Sequence, residues 1–343
     1  MRKLLNTLYV MTESCYLTLD SENIVILNDE KTLGRFPLHT LENIICFTYK
    51  GATPALMGAC AEQQIGLSFF SPRGKFLARA VGREYGNVLL RKEQYRISDN
   101  DNHKIIYAKN MIVGKVFNSR WSIERTLRDH AQRVDVEKLK QVSNTLYSTL
   151  PKIDHASGLE ELRGIEGKAA ELYFSVYNEM ILNQKENFSF LKRSRRPPLD
   201  NINALLSFAY TILAGDCTNA LSSVGLDPYV GFMHGDRPGR TSLALDLMEE
   251  LRPVMADRFA LTLINTKAIQ PVHFERQKDN AVLLNGDGRK VFFNAWQNHK
   301  KEMITHPYLK EKIEWGLVPY VQALLLARTI RGDIDEYPPF LWK

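Results

Sequence analysis

The hydrophobic period of the chain changes once, at the polar segment 98–103 (Ser-Asp-Asn-Asp-Asn-His). Before this segment, short runs rich in β-branched and aromatic residues alternate with turn-forming clusters, which is typical of strands. After it, apolar residues recur every three or four positions, as on one face of an α-helix. The pattern predicts an α+β fold with a small β-rich N-terminal domain over 1–97, a hinge over 98–103 and a larger all-α domain over 104–343.

The runs and turn signals also predict the individual elements. In the first domain the predicted strands are Thr7–Val10, Tyr16–Leu19, Ile24–Leu27, Ile44–Phe47, Leu67–Phe70 and Phe76–Val81. A helix over Thr53–Gln63 interrupts them, and Ser71-Pro-Arg-Gly74 predicts a hairpin loop. The predicted helices of the second domain are Lys104–Asp129, Asp135–Leu146, Leu159–Asn183, Leu199–Leu213, Ser242–Leu251, Asp257–Ile264, Phe293–Ile304 and Ile313–Ile330. Within that domain, Asn285-Gly-Asp-Gly288 predicts a hairpin turn.

Composition narrows the class of protein. Of the 343 residues, 44% are hydrophobic and 24% are charged, which is ordinary for a soluble globular protein. The N-terminal segment lacks a signal-peptide cleavage site, and the longest apolar stretches are too short to span a bilayer. The cysteines form no CxxC pair and no zinc spacing, which fits a reducing compartment; they are Cys15, Cys46, Cys60 and Cys217. We therefore expect a soluble cytoplasmic protein.

The net charge of +6 comes from basic residues that recur along the chain between positions 73 and 128 and again at 192–196. Such a distribution suits a polyanion, above all nucleic acid. A solvated, mildly basic surface explains the charge equally well, so charge alone leaves both interpretations open.

One acidic residue lies where a helical core needs an apolar one. Glu166 belongs to a stripe whose members step by three and four, and a carboxylate on such a stripe is unfavourable unless it is paired or binds a cation. The other members of the stripe are Leu159, Leu162, Ala169, Tyr173, Val176 and Met180. Glu166 is therefore the first candidate for a metal ligand.

A second helix repeats the anomaly. Asp246 and Glu249 lie three apart among apolar residues and share a helix face, and His234 precedes them in a loop rich in Gly and Pro. Two carboxylates and an imidazole favour Mg²⁺ or Mn²⁺. The alternatives stay open: Glu166 in a salt bridge, Asp246 as a helix cap, and His234 as a hydrogen-bonded loop residue. Spacing alone does not bring Glu166 near the other two.

Four blocks of sequence, in order, resemble a known family. The string LRGIEGKAA at 162–170, followed by Tyr173 and Phe174, resembles the glutamate motif of the CRISPR-associated adaptation integrase and endonuclease family. The segments 195–210, 225–234 and 242–253 resemble its next block, its histidine block and its acidic block. The resemblance covers nearly the whole chain, and the context of the motifs is most similar to the type I-C branch.

The resemblance implies a ligand set. The metal-binding and catalytic residues of the family correspond here to Glu166, His234 and Glu249, with Asp246 as a supporting acid. Glu250 competes with Glu249 for the third position; the spacing of three between the two acids of the family favours Glu249. The implied cofactor is Mg²⁺ or Mn²⁺, which polarises phosphate and activates the attacking hydroxyl.

The resemblance also implies an assembly. The N-terminal domain would form a homodimer, and the protein would act with a small ferredoxin-like partner on double-stranded DNA, with no membrane involved. The complex would insert short duplexes (spacers) into a CRISPR array by attack of 3′-hydroxyl groups on repeat phosphates. Two alternatives remain: a non-catalytic basic scaffold that binds DNA, and a general metallonuclease of branched DNA.

Basic residues near the motifs are candidate phosphate contacts. Some lie along the first long helix and others next to the motif blocks. They are Lys109, Lys115, Arg120, Arg195, Arg196, Arg237 and Arg240.

Overall fold

The computed structural model describes residues 6–29, 31–71, 76–82 and 88–343. The chain forms two compact units. Unit 1 comprises Met1–Tyr85, Leu284–Glu302 and Glu314–Leu317, and unit 2 comprises Gly86–Leu283, Met303–Ile313 and Val318–Lys343.

Unit 1 is built on two sheets. One has the order β1-β5-β6-β7, in which β1, β5 and β6 run parallel and β7 returns antiparallel to β6; the other is an antiparallel meander of β2, β3 and β4. The strands are β1 (Thr7–Val10), β2 (Cys15–Asp20), β3 (Asn23–Asn28), β4 (Lys31–Pro37), β5 (Asn43–Cys46), β6 (Gly66–Phe70) and β7 (Phe76–Ala80), with helix α1 at Pro54–Glu62. The loop predicted at 71–74 connects antiparallel neighbours, but most of it lies outside the described residues.

Strand β4 was not predicted, and its environment explains why. Among the described strands it pairs with β3 alone, and its side chains are nearly all exposed, so it lacks the apolar alternation that marks a half-buried strand. The pairing of β3 with β4 is irregular next to Ile26 and Leu27, opposite Gly34 and Thr32. An edge strand of this kind leaves little pattern in the sequence.

Residues 284–302 join unit 1, which differs from the predicted boundary between domains. The hairpin predicted at Asn285-Gly-Asp-Gly288 is wrong: Asn285 caps helix α9 (Gly286–Lys300), accepting a hydrogen bond from Gly288 N at 2.9 Å. Asn followed by Gly fits a turn and a helix N-cap equally well. Phe293 of α9 stacks on Tyr9 of β1, with ring centroids 4.0 Å apart, and this apolar contact holds α9 in unit 1.

Unit 2 contains most of the remaining helices: α2 (Val88–Asp99), α3 (Asp101–His130), α4 (Val136–Asp154), α5 (Leu159–Ser175), α6 (Asn201–Ser223), α7 (Ser242–Leu251), α8 (Arg258–Asn265) and α10 (Val318–Ile330). Short strands pair as β8 (Phe274–Arg276) with β9 (Val282–Leu284), and β10 (Met303–Thr305) with β11 (Lys312–Glu314). The α+β fold class is confirmed. A π-helical turn, Arg252–Asp257, links α7 to α8, so the helix end predicted at Leu251 is a change of helix type.

The polar segment 98–103 is not a free hinge between the units. It ends α2 and begins α3: the Asn100 side chain accepts hydrogen bonds from the backbone of Asn102 and His103, and caps α3. Ser98 Oγ donates to the carbonyl of Gly231, 3.0 Å away in the same unit. Clustered Asp and Asn residues mark helix N-caps as well as linkers, and here they serve as a cap.

Helix α3 contacts α4, α5 and α7 and so forms the centre of unit 2. Gly114 sets its distance from α7, because a Cβ built on Gly114 would lie 2.7 Å from Cβ of Glu250. Any other residue would force the helices apart. The next residue, Lys115, is thereby brought against the acidic face of α7. No helix within the described parts of the chain has the length and apolar content to cross a membrane.

Candidate metal centre

Two of the predicted ligands meet, although 83 positions separate Glu166 from Glu249 in the chain. Lys115 of α3 lies between them. Its ammonium forms a short ion pair with Glu166 Oε1 of α5 and lies 2.7 Å from Glu249 Oε2 of α7. The side chains of Lys115, Glu166 and Glu249 are only 12%, 20% and 4% exposed. Because α3 packs against both α5 and α7, Glu166 and Glu249 lie close together in space although they are far apart in the sequence.

Glu249 is held as a carboxylate inside the protein. Its Oε1 pairs with Arg252 at 3.0 Å. Its Oε2 is buried and lies 2.7 Å from the ammonium of Lys115. Burial raises the pKa of Glu249, but the charges of Arg252, Lys115 and His234 outweigh burial and set the pKa at about 2.

His234 lies in the loop that precedes α7, and Arg163 of α5 bonds to the same loop. Asp246, fully buried, fixes the loop: its Oδ2 accepts from the backbone of Phe232 and Met233, and its Oδ1 from the backbone of His234. The ring Nδ1 of His234 lies 2.6 Å from Asp246 Oδ1. This contact orients the imidazole and leaves Nε2 as the ring nitrogen that can bind a cation.

Because Gly231 has no side chain, Asp246 can approach the backbone of the histidine loop closely enough to form these hydrogen bonds. A Cβ at this position would lie 2.8 Å from Asp246 Oδ2 and 2.9 Å from the carbonyl oxygen of His234. On the other side of the loop, Arg163 of α5 donates to the carbonyl of Met233 at 2.5 Å. Because Arg163 and Glu166 lie one turn apart on α5, this bond ties the histidine loop to the helix that carries Glu166.

Glu250 points away from the cluster. Its Oε1 accepts from Gln322 Nε2 at 2.9 Å and from the hydroxyl of Tyr337, and its Oε2 accepts from the backbone N–H of Phe340 at 2.7 Å. Burial raises the pKa of Glu250 to about 7, although these hydrogen bonds act in the opposite direction. The geometry therefore favours Glu249 over Glu250 as the third ligand.

The side chains fit a divalent cation in chemistry, but they do not form an open cage. Among the described residues, no three His, Cys, Asp or Glu side chains are grouped as a ready-made metal site. The ammonium of Lys115 lies between the two carboxylates, and the ring of His234 contacts Asp246. Two carboxylates, those of Glu166 and Glu249, and the imidazole of His234 nevertheless form the oxygen-rich donor set that suits Mg²⁺ or Mn²⁺.

The predicted phosphate contacts lie in different environments. Arg195, Arg196 and Arg237 are exposed. Lys109 donates to the carbonyl of Asp154 at the end of α4, and Lys115 belongs to the carboxylate cluster.

Two other members of that set are engaged within the protein. Arg120 pairs with Glu124 at 3.1 Å and stacks on Tyr147. Arg240 donates to the carbonyl of Gly235 and holds the histidine loop.

Sequence reasoning missed two arginines of the centre. Arg252 lies one turn after Glu249, a spacing that could have identified it as the internal partner of the acid. It also stacks on Tyr210 of α6, with 5.1 Å between the guanidinium carbon and the ring centroid. The contact of Arg163 with Met233 joins positions 70 apart and leaves no local signal.

Comparison with known proteins identifies the family. Residues 8–298 match the family model described as CRISPR associated protein Cas1. The chain is 48% identical over 347 residues to the CRISPR-associated endonuclease Cas1 2 of Rhodospirillum rubrum. It is 45% identical over 343 residues to the CRISPR-associated endonuclease Cas1 1 of Chlorobaculum tepidum. Each match covers the whole of both chains.

Solved structures share the fold. A casposase bound to integration product aligns with a TM-score of 0.84 at 21% identity, over 98% of this chain and 94% of that one. A Cas1 protein from Thermotoga maritima aligns with a TM-score of 0.79 at 23% identity, over 95% and 97%. The full-length relatives and the family model agree with the resemblance seen in the motifs. The chain belongs to the Cas1 family of CRISPR-associated endonucleases.

Proposed function

We propose that this endonuclease is a Mg²⁺- or Mn²⁺-dependent DNA integrase that inserts short duplexes into a CRISPR array. The observation that carries the proposal is the convergence of Glu166 and Glu249 on one cationic group, with the loop of His234 bonded by Arg163 to the helix of Glu166. Carboxylates buried in this way need a positive charge between them. A divalent metal held by the three side chains would polarise a repeat phosphate and lower the pKa of the attacking hydroxyl.

Other residues of the chain position the proposed ligands, balance their charge or face the DNA. Asp246 holds the imidazole of His234 in one orientation, and Arg252 neutralises Oε1 of Glu249. Arg163 keeps the histidine loop against α5. The exposed cations Arg195, Arg196 and Arg237 would contact DNA phosphates and hold the duplex end near the centre.

The proposal extends to partners and branch. We infer that the protein acts as a homodimer with a small ferredoxin-like partner, in the cytoplasm, on double-stranded DNA; the type I-C branch stays a prediction. A complex described as Cas6-RT-Cas1–Cas2 contains a chain that aligns with this one, with a TM-score of 0.80 at 24% identity, and that similarity supports the partner. The casposase bound to integration product supports the DNA substrate.

The test supplies labelled duplexes with free 3′-hydroxyl ends, a plasmid that carries the repeat, the small partner protein and Mn²⁺ or Mg²⁺. Joining of label to the plasmid by the wild type, with loss of joining in Glu166→Gln, is the expected result. Glu171→Gln, an exposed acid on the same helix, is the matched control and should join normally.

Three results would contradict the proposal in different ways. Cleavage of branched DNA without joining would favour the general metallonuclease. DNA binding without any processing, unaffected by EDTA, would favour the scaffold. Full joining by Glu166→Gln would remove the metal centre assigned to Glu166.

A further inference from the structure

Lys115 is the cation that the carboxylates share, and its contacts are of one kind. Within the described residues its ammonium contacts Glu166 and Glu249, and its side chain is 12% exposed. The contact with Glu166 has the geometry of a hydrogen bond. The contact with Glu249 Oε2 is an ion pair of 2.7 Å. The ammonium is thus held by two carboxylates.

Arg252, the other cation of the cluster, is held differently. Its guanidinium pairs with Glu249 Oε1 and stacks on the ring of Tyr210, so an aromatic face and a carboxylate fix it together. Lys115 has no such second anchor among its contacts, and its unbranched stem carries an ammonium that can move by rotation about side-chain bonds. Of the two cations, Lys115 is the one that can leave.

The net charge of the cluster indicates that binding of a metal displaces the ammonium of Lys115. Lys115 and Arg252 balance Glu166 and Glu249, so these four side chains together are neutral. A divalent cation bound by the same carboxylates would raise the net charge to about +2 in a poorly solvated site, with the ammonium in contact with the metal ligands. The ammonium and the metal therefore compete for the same oxygens.

We propose that Lys115 is a displaceable internal counter-ion that couples metal binding to DNA binding, an inference that rests on the proposed function. Without metal, Lys115 holds the two acids together. When metal is bound, the displaced ammonium lies beside the centre and contacts a DNA phosphate. Metal and DNA then strengthen each other's binding, because the site with metal alone carries excess positive charge, which phosphate neutralises.

The first experiment measures Mn²⁺ binding by isothermal titration calorimetry, without DNA, for the wild type and Lys115→Met. Removing the competitor should tighten Mn²⁺ binding about tenfold, within the usual range of coupling between two ligands. Lys104→Met is the matched control: Lys104 lies on the same helix and pairs with the exposed Asp101, and its replacement should leave Mn²⁺ affinity unchanged. A short duplex should raise the Mn²⁺ affinity of the wild type and have less effect on that of Lys115→Met.

The second experiment uses the wild type alone, so its result does not depend on whether Lys115→Met folds. Reductive methylation followed by mass spectrometry measures the accessibility of each lysine amine. Methylation of Lys115 should be slow in EDTA, several-fold faster at saturating Mn²⁺, and slow again when DNA is added.

The outcomes separate the two proposals. Mn²⁺ binding of equal affinity in the wild type and Lys115→Met, or methylation of Lys115 that does not respond to bound Mn²⁺, overturns the role of Lys115 and leaves the metal centre standing. Absence of Mn²⁺ binding in both proteins overturns the metal centre, and this inference with it.

Discussion

Two neighbouring acids of α7, both buried, have opposite surroundings. Glu249 faces Lys115, Arg252 and the loop of His234, and its pKa is about 2. Glu250 faces the hydroxyl of Tyr337 and amide groups, and its pKa is about 7. Consecutive residues of a helix point about 100° apart, so one helix presents an ionised acid on one side and a readily protonated acid on the other.

The difference shows that burial does not decide what a carboxylate does. Burial disfavours the charged form of both residues, and only full positive charges reverse that effect. Hydrogen-bond donors without charge satisfy the oxygens of Glu250 and fix the C-terminal segment. We therefore infer that the face of α7 that carries Glu249 is the chemical site. The face that carries Glu250, about 100° away, supports the structure. Each prediction below tests that division.

The largest expected effect is loss of activity on the cationic face. Glu249→Gln should reduce Mn²⁺-dependent cleavage and joining more than about 100-fold, because loss of a metal ligand exceeds the 10- to 100-fold effect typical of outer partners. Glu250→Gln, assayed at a temperature where circular dichroism shows it folded, should retain activity within about tenfold. The reverse order of the two activities would show that Glu250 is the third ligand.

On the opposite face the loss should be in stability. Glu250→Ala leaves two buried donors, those of Tyr337 and Phe340, without their acceptor, and removes one of the acceptors of Gln322. We expect the free energy of unfolding to fall by about 3 kcal/mol or more, measured by urea denaturation in EDTA. Tyr337→Phe removes one donor and should lose about 1 kcal/mol. If Glu250→Ala is as stable as the wild type, the support assigned to this face is absent.

The pH dependence of stability should have opposite signs for the two acids. Glu250 has a raised pKa, so its contribution is present below pH 4.5 and is lost as the pH rises from 4.5 to about 7. Glu249 has a lowered pKa, so its contribution is present above pH 4.5 and is lost as the pH falls towards 2. Each contribution amounts to at most a few kcal/mol, at about 1.4 kcal/mol per pH unit.

Urea denaturation of the metal-free protein between pH 3 and 8 measures both signs. Glu250→Gln should flatten the decline above pH 4.5, and Glu249→Gln should flatten the decline below it. Unchanged profiles would mean that neither acid has the pKa assigned here.

A third acid of α7 should have an intermediate effect. Asp246→Asn keeps the size of the side chain but weakens the contacts with the loop backbone and His234. We expect Mn²⁺ affinity to fall about 10- to 100-fold, as for outer partners of metal ligands, measured by calorimetry. A change in affinity as small as that of Glu171→Gln would mean that His234 needs no orienting partner.

The smallest expected effect is on DNA affinity, when an exposed cation is removed. Unlike Lys115 and Arg252, these cations are not buried. Arg195→Ala should weaken binding of a short duplex modestly and lower the slope of log affinity against log salt by about 1, if Arg195 contacts one phosphate. Arg331→Ala, which removes an arginine paired with Asp333, is the control. Equal slopes in both variants would exclude Arg195 from the DNA interface.

The sequence predicted elements better than their assembly. The strand predicted at Thr7–Val10 and the helix at Ser242–Leu251 have the observed bounds, because apolar periodicity and terminal residues mark both. Strand β4 and the start of α9 were missed, since an exposed edge strand has no alternation and Asn-Gly fits both a turn and a cap.

The site was predictable only in part. The polar residue on an apolar stripe pointed to Glu166, and the spacing of three pointed to Asp246 and Glu249. The position of Lys115 could not be predicted, because it depends on the close approach of α3 and α7 at Gly114. A long-range contact of this kind, like that of Arg163 with Met233, leaves no periodic trace in the chain.

The anchoring of the C-terminal segment on Glu250 also has a consequence during synthesis. Tyr337 and Phe340 follow Glu250 by about 90 residues, which a ribosome adds in roughly 5 to 20 s at ordinary elongation rates. Throughout that interval α7 carries a carboxylate whose final partners do not yet exist. The packing behind Glu249 can therefore be completed only after residues 337–340 have been synthesised, and activity that depends on this packing cannot appear earlier.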